Sequence, residues 1–123
     1  MRLPLRTKDF RRVEALPRRD SADLIERLAE DGTMQALLAT PECAMTLRPA
    51  QQFALYEAGQ NQGLIGSIGV GHGKTLISLL AATVIPCERP LLLVPAALKK
   101  ITLSQRLPEL KRHWKIREDL RIE

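Results

Sequence analysis

The residues with the clearest chemical potential are Gly69, Val70, Gly71, His72, Gly73, Lys74 and Thr75. A polyphosphate is held by several backbone N–H groups that converge on one anion, and glycine reaches the required conformations easily because it lacks a Cβ. A lysine that follows supplies positive charge for the β- and γ-phosphates, and a threonine hydroxyl is a ligand for Mg²⁺. The segment predicts a phosphate-binding loop (Walker A) for ATP and Mg²⁺.

The usual pattern of such loops is G-x-x-x-x-G-K-[ST], and Gly73, Lys74 and Thr75 match its last three positions. Ile68 stands where the first glycine is usual. Gly69 and Gly71 supply the flexibility that this position would otherwise provide. His72 lies inside the loop, where a protonated imidazole approaches a phosphate or an uncharged one points into solvent.

The elements on either side of the loop agree with this prediction. Residues 64–68 form a short apolar run between glycines, which predicts a buried strand. Residues 74–85 form an apolar segment of helical length before Pro86, and its N-terminal N–H groups would face the phosphates.

The rest of the chain extends the same alternation. Residues 90–95 form a second apolar, strand-like run between prolines, long enough to cross a sheet. Residues 96–114 have a helical pattern that Pro108 is expected to split into two helices. Its apolar stripe consists of Leu103, Leu107, Leu110 and Trp114. Strand, loop, helix, strand and helix in this order predict an α/β fold with a parallel sheet.

The N-terminal part is predicted to be helical after a basic arm. Residues 1–19 have no clear period and are expected to be extended or loosely ordered. Asp20 or Ser21 is a suitable N-cap for a helix over residues 22–31, with Gly32 as its stop. A short helix is expected over residues 34–39 and another from Pro49 to about Ala58. The expected buried stripe of the latter helix is Ala50, Phe53, Ala54 and Tyr56.

Charge and composition narrow the class of protein. The formal charge is +5, and the basic residues concentrate at both ends around an acidic centre, which suits a polyanionic partner as well as two solvated faces. Cys43 and Cys87 are too few for a disulfide framework and lack metal-ligand spacing. Neither a secretion signal nor a membrane-length apolar run is present in the sequence. These features predict a cytoplasmic protein.

Three motifs together resemble the opening of superfamily 2 helicases, which include DEAD/DEAH-box proteins, Swi/Snf-type remodellers and phage helicases. They are L-R-P-A-Q at residues 47–51, the loop at residues 69–75 and L-L-V-P at residues 92–95. The resemblance covers residues 46–114. It implies a partial RecA-like P-loop NTPase sheet over residues 46–123, with residues 1–45 as a basic arm and helical extension.

The resemblance also implies roles for individual residues. Gln51 corresponds to the glutamine that recognises adenine, and residues 69–75 to the phosphate loop, with Lys74 as a catalytic residue and Thr75 as a Mg²⁺ ligand. Pro95, Ala96 and Lys99 fall in the motif that lies along the nucleic-acid backbone. The implied partner is nucleic acid, DNA in preference to RNA, in a bacterial or phage-infected cell.

One departure from the family is large. The sequence contains no Asp-Glu pair, which supplies the Mg²⁺-holding aspartate and the catalytic glutamate in the family. We therefore expect a fragment of an ATP-dependent helicase, truncated before that motif and before the second RecA-like domain. Such a fragment would bind ATP weakly and be inactive alone as a hydrolase.

Two other interpretations stay open. One is a P-loop nucleotide-binding protein of another class, such as a kinase or a small ATPase. Ile68 and the upstream L-R-P-A-Q count against it. The other is a non-catalytic remnant that binds nucleic acid through its basic ends.

Overall fold

The computed structural model describes residues 7–18 and 20–123, and the elements below refer to this part of the chain. Helices dominate it, and its one sheet has two short parallel strands. The elements are α1 (Lys8–Glu14), α2 (Ala22–Asp31), α3 (Thr33–Leu38), α4 (Pro49–Asn61), α5 (Lys74–Val84), β1 (Leu91–Leu92), α6 (Ala96–Ile101), a π-helical turn (Thr102–Arg106), α7 (Leu107–Lys111) and β2 (Arg121–Ile122).

The basic N-terminal segment contains a helix where an extended arm was expected. Thr7 caps α1, because its hydroxyl oxygen accepts a hydrogen bond from the backbone N–H of Phe10 over 3.2 Å. No side chain of α1 is buried, so the cap and local backbone bonds hold this helix rather than packing. Residues 1–6 and 19 of the predicted arm lie outside the described residues.

The next two helices follow the sequence prediction closely. Asp20 accepts a hydrogen bond from the N–H of Ala22 at the start of α2, and Ser21 is the N-cap. Gly32 ends α2 in the left-handed region, at φ +64°, and α3 begins at the next residue. This turn brings Leu28 of α2 and Leu38 of α3 into the same hydrophobic core.

Helix α4 is the centre of the helical layer and contacts α2, α3 and α5. It runs to Asn61, because Gln62 adopts the left-handed conformation at φ 55° and ends it. The expected buried stripe was only partly correct, since Ala50 is exposed and Leu55 is fully buried. A helix that is covered on several sides buries more than one stripe, so the spacing of its apolar residues alone does not define its buried face.

The strand predicted over residues 64–68 was wrong. These residues are irregular, and Ile65 is fully exposed. The N–H of Ile68 donates to the carbonyl of Gly66 over 3.1 Å, which bends the backbone into a tight turn. A strand needs a neighbour to bind its backbone groups, and none of the strands in the described residues lies beside this segment.

The second predicted strand is real but short. Leu91 and Leu92 pair in parallel with Arg121 and Ile122. A further backbone bond from Val94 N–H to the carbonyl of Glu123, 2.8 Å long, extends this pairing. Two strands are too few to test the RecA-like sheet, which stays a prediction.

The segment after β1 contains two α-helices, α6 and α7, as expected, but a π-helical turn joins them and the chain does not break at Pro108. The irregularity lies one turn earlier, where the N–H of Leu107 bonds to the carbonyl of Thr102 across a π-helical turn. The wider turn accommodates the proline ring at the start of α7. It also adds one residue to the helical repeat, so Thr102 is buried while Leu103 of the predicted stripe is 42% exposed.

The core lies between α2, α3, α4, α5 and the segment around Trp114. Trp114, Leu38, Leu55, Leu79 and Leu80 are its fully buried large side chains. Ala39 and Trp114 form an antiparallel bridge that ties α3 to the end of α7. In the described part of the chain, no helix has the length and apolar character to span a membrane.

Candidate functional site

The glycine-rich loop leads directly into α5. Gly71 and Gly73 adopt left-handed conformations, with φ +81° and +73°, and Gly73 is the N-cap of the helix that begins at Lys74. The carbonyl oxygen of Gly73 accepts the N–H groups of Leu76 and Ile77 at 3.2 and 3.4 Å. The start of α5 therefore leaves its first N–H groups free of partners within the helix, which favours an anion there.

Two side chains from the start of α4 attach this loop to the helical layer. The Gln51 side chain accepts the backbone N–H of Arg48 through Oε1 over 2.9 Å and donates from Nε2 to the carbonyl of Gly73 over 3.3 Å. The Arg48 guanidinium donates to the carbonyl of Gly71. Since both acceptors belong to the loop, the L-R-P-A-Q motif and the phosphate-loop motif are in contact.

Gly73 is the tightest point of this contact. A Cβ atom built at Gly73 would lie 2.1 Å from Nε2 of Gln51, well inside contact distance. The positive φ angle independently disfavours any residue with a side chain. The positive φ angle therefore favours glycine at position 73, and a Cβ there would also push the end of the Gln51 side chain aside.

A cavity of about 540 Å³ opens between the loop, the start of α4 and the π-helical turn. No carboxylate is among the side chains that line it, and two arginines are. The lining residues are Met45, Thr46, Arg48, Gln51, Gly71, Gly73, Thr75, Leu76, Arg106 and Leu110. This composition gives the cavity a positive local charge and hydroxyl and amide groups for hydrogen bonds, which suits an anionic ligand.

The predicted site residues are distributed unevenly around this cavity. Gln51, Gly71, Gly73 and Thr75 line it. Lys74 is exposed at the first position of α5 and makes no ion pair within the described residues. Lys74 lines neither cavity at the loop, and its ammonium group is free to bind a ligand at the start of α5.

His72 and Gly69 belong to a different cavity. The imidazole of His72 lies against Gly69, with Cδ2 3.0 Å from a Cβ built there. Both residues line a largely apolar cavity of about 440 Å³ that residues 64–69 form with side chains of α2 and α4. Val70, at 94% exposure, lines neither of the two cavities. The structure thus brings only part of the predicted loop to the basic cavity.

The residues predicted to contact nucleic acid are at the start of α6. Pro95, Ala96 and Lys99 are all exposed, and the carbonyl of Pro95 accepts the N–H of Leu98 in the first turn of the helix. They line neither cavity at the loop. The site that they would form is a surface rather than a pocket.

Two arginines of the basic cavity were missed by the sequence reasoning. Arg48 belongs to the L-R-P-A-Q motif and was passed over in favour of Gln51. Arg106 is one of many basic residues in its helical segment, and its spacing of four from Leu110 was the only available signal. Motif membership and spacing do not distinguish an arginine that contacts the loop from one that is solvated. That distinction requires the tertiary structure.

A separate ionic contact fixes the other end of α5. The guanidinium of Arg117 forms two hydrogen bonds to Asp119, 2.8 and 2.6 Å long, and a third to the carbonyl of Cys87, 2.7 Å long. The hydrogen bond from Arg117 holds the pKa of Asp119 below its ordinary value, and the bond to Asp119 raises the pKa of Arg117. This group secures the chain after α5 and is not among the residues of the basic cavity.

The sequence matches no family model, and searches of curated proteins and of solved structures find no significant match. The features of the chain that indicate a function are the geometry of the loop and its cavity and the resemblance of the motifs.

Proposed function

We propose that this chain is the ATP-binding part of a nucleic-acid-dependent ATPase of the helicase type. The observation that supports it most is the hydrogen bond between Gln51 and Gly73. This bond joins a glutamine whose amide has the donor and acceptor groups for adenine to a loop whose backbone suits phosphates.

The proposed binding mode gives each group one task. Backbone N–H groups of the loop and the start of α5 bind the phosphates, and Lys74 neutralises their charge. The Thr75 hydroxyl is a ligand for Mg²⁺.

Gln51 has one N–H donor and one acceptor lone pair left after its bonds to Gly73 and Arg48. These two groups suffice for a pair of hydrogen bonds to adenine N7 and N6.

The proposal also includes binding of nucleic acid at the start of α6. Pro95, Ala96 and Lys99 would lie along a DNA backbone, and the basic residues on α6 and α7 would add charge attraction. Hydrolysis in the family also requires an aspartate and a glutamate, which its members carry as an Asp-Glu pair that is not found in this sequence. A kinase-like or other P-loop protein is the alternative for the same nucleotide site.

The first experiment measures ATP binding to this chain by isothermal titration calorimetry with and without Mg²⁺. Lys74→Ala is expected to weaken ATP binding about tenfold or more, because it removes the charge at the β/γ-phosphates. Lys100→Ala is the matched control, since Lys100 is exposed on α6 and lines neither cavity at the loop. Equal ATP affinity in the wild type and in Lys74→Ala would refute the nucleotide site.

A second experiment separates a motor from a simple binding remnant. Binding of single-stranded DNA is measured by fluorescence anisotropy at low salt, with and without ATP. A change in DNA affinity on adding ATP, lost in Lys74→Ala, is expected for the motor part. DNA binding that ignores ATP in both proteins would support the non-catalytic remnant instead.

A further inference from the structure

We propose that Arg106 is a second cationic contact for the nucleotide phosphates, facing the loop from the π-helical turn. This inference rests on the proposed function and adds a residue that none of the family-like motifs contains. Arg106 and the loop residues Gly71, Gly73 and Thr75 line the same cavity of about 540 Å³.

The direction of Arg106 follows from its position in the helical segment. It is the last residue of the π-helical turn and stands four residues before Leu110, so the two side chains share one face. Leu110 belongs to the hydrophobic core and also lines the cavity. That face of the segment is therefore turned toward the loop, and the Arg106 side chain is turned with it.

The hydrogen-bonding state of the two arginines differs. Arg48 already donates to the carbonyl of Gly71. Arg106 forms neither an ion pair nor a side-chain hydrogen bond with any residue in the described part of the chain. Its guanidinium donors are therefore free for a ligand in the cavity.

The ligand chemistry follows from charge and shape. A guanidinium presents a planar fork of N–H donors that matches two oxygens of a phosphate, and such charge-assisted pairs are stronger than neutral hydrogen bonds. The absence of carboxylates among the lining residues leaves this charge uncompensated. A nucleoside di- or triphosphate is the class of ligand that would use it together with Lys74.

The π-helical turn supplies the scaffold for this contact. The bond from Leu107 N–H to the carbonyl of Thr102 closes the turn, and the Thr102 side chain is buried. Such turns are uncommon within helices and occur often at functional sites. Arg106 is thus placed by a packed helix rather than by a loop.

The test compares affinities of ATP and AMP, measured by calorimetry on the complete chain, in three variants. Arg106→Gln is expected to weaken ATP binding about tenfold and to change AMP binding much less, since AMP lacks the β- and γ-phosphates. Arg106→Lys is expected to restore part of the ATP affinity, because it keeps the charge and loses the fork. Arg89→Gln is the control, because Arg89 is exposed and lies outside the cavity.

Three outcomes would overturn the role of Arg106, and they distinguish its failure from the failure of the nucleotide site. Wild-type ATP affinity in Arg106→Gln, with binding lost in Lys74→Ala, would overturn the role of Arg106 and leave the nucleotide site standing. An equal loss for ATP and AMP would also overturn it, because a contact to the β- or γ-phosphate is present with ATP and absent with AMP. Unchanged ATP binding in Lys74→Ala would remove the nucleotide site itself, and the inference with it.

Discussion

The side-chain amide of Gln51 donates a hydrogen bond to the carbonyl oxygen of Gly73 over 3.3 Å. The same amide accepts the N–H of Arg48, so one side chain closes the start of α4 and binds the N-cap of α5. Because Gln51 is 95% buried, as its exposed fraction of 5% shows, water competes little for these bonds. One buried side chain therefore links the start of α4 to the start of α5 at the proposed nucleotide site.

Replacing Gly73 by alanine should damage the loop more than the same change at Gly71. Both residues have a positive φ, but only at position 73 does the new Cβ collide with Gln51, whereas nothing lies within 4 Å at position 71. Gly71→Ala should cost about 1 kcal/mol of backbone strain. Gly73→Ala should lower the free energy of unfolding by more than this, because the new Cβ also displaces the Gln51 side chain. Chemical denaturation and ATP titration of both variants measure this, and equal effects would contradict the contact.

Changing Gln51 to glutamate should destabilise the protein by about 1–3 kcal/mol. The carboxylate keeps the acceptor for Arg48 N–H but places negative charge against the Gly73 carbonyl, where Nε2 now donates. Gln60→Glu makes the same change at an exposed position of the same helix and should stay within about 0.5 kcal/mol of wild type. Urea unfolding followed by circular dichroism compares them. A stable Gln51→Glu protein would show that the amide is not needed for the fold.

Trp114 should tolerate phenylalanine far better than alanine. The indole is 1% exposed, and its Nε1 has no hydrogen-bond partner in the described part of the chain. Alanine leaves a large cavity and should cost about 3–5 kcal/mol. Phenylalanine keeps most of the packing and removes the unpaired N–H, whose burial is itself unfavourable. Thermal unfolding of the two variants gives the comparison, and equal losses would argue against tight packing at this site.

Acid should weaken the protein partly through Asp119. Its pKa is lowered in the folded state by the hydrogen bond from Arg117, so the unfolded chain binds more protons in the acid range. The stabilisation is present above the ordinary carboxyl pKa and is lost as the pH falls through the lowered value. Asp119→Asn should therefore reduce stability at pH 7 and flatten its dependence on pH below about 4.

Unfolding midpoints measured from pH 7 to pH 2.5 test this prediction. Asp9→Asn is a suitable control, because Asp9 is exposed on α1 and makes no ion pair with another described residue. The wild type and the Asp9 variant should have similar pH profiles. A profile of Asp119→Asn that coincides with theirs would mean that the Arg117 contact contributes nothing measurable to stability.

Local sequence signals, such as caps, left-handed stops and prolines, were enough to predict most helix boundaries. Helix α2 spans the expected residues, with its cap at Ser21 and its stop at Gly32. Helix α5 begins at Lys74 as expected and ends one residue before the prediction. Caps, left-handed stops and prolines act through neighbours in the chain, so their effect is readable without knowledge of the fold.

Strands and buried helix faces were harder to predict from the sequence, because they depend on partners that are distant along the chain. Residues 64–68 have a strand-like composition and remain irregular, since no described strand is placed to bind them. Leu103 continued the apolar stripe by spacing, but the π-helical turn moved Thr102 into its place. A single extra residue in a helical turn rotates all residues before it, and no periodicity within the segment indicates where it occurs.

The sequence by itself determined which residues have the chemistry for a phosphate loop and where the helix behind that loop begins. Only the tertiary structure decided that Gln51 and Arg48 bind the loop, that Arg106 lines its cavity and that His72 belongs to another cavity. The physical reason is distance along the chain. Local backbone preferences act over a few residues, whereas these contacts join residues that only the packing of separate helices brings together.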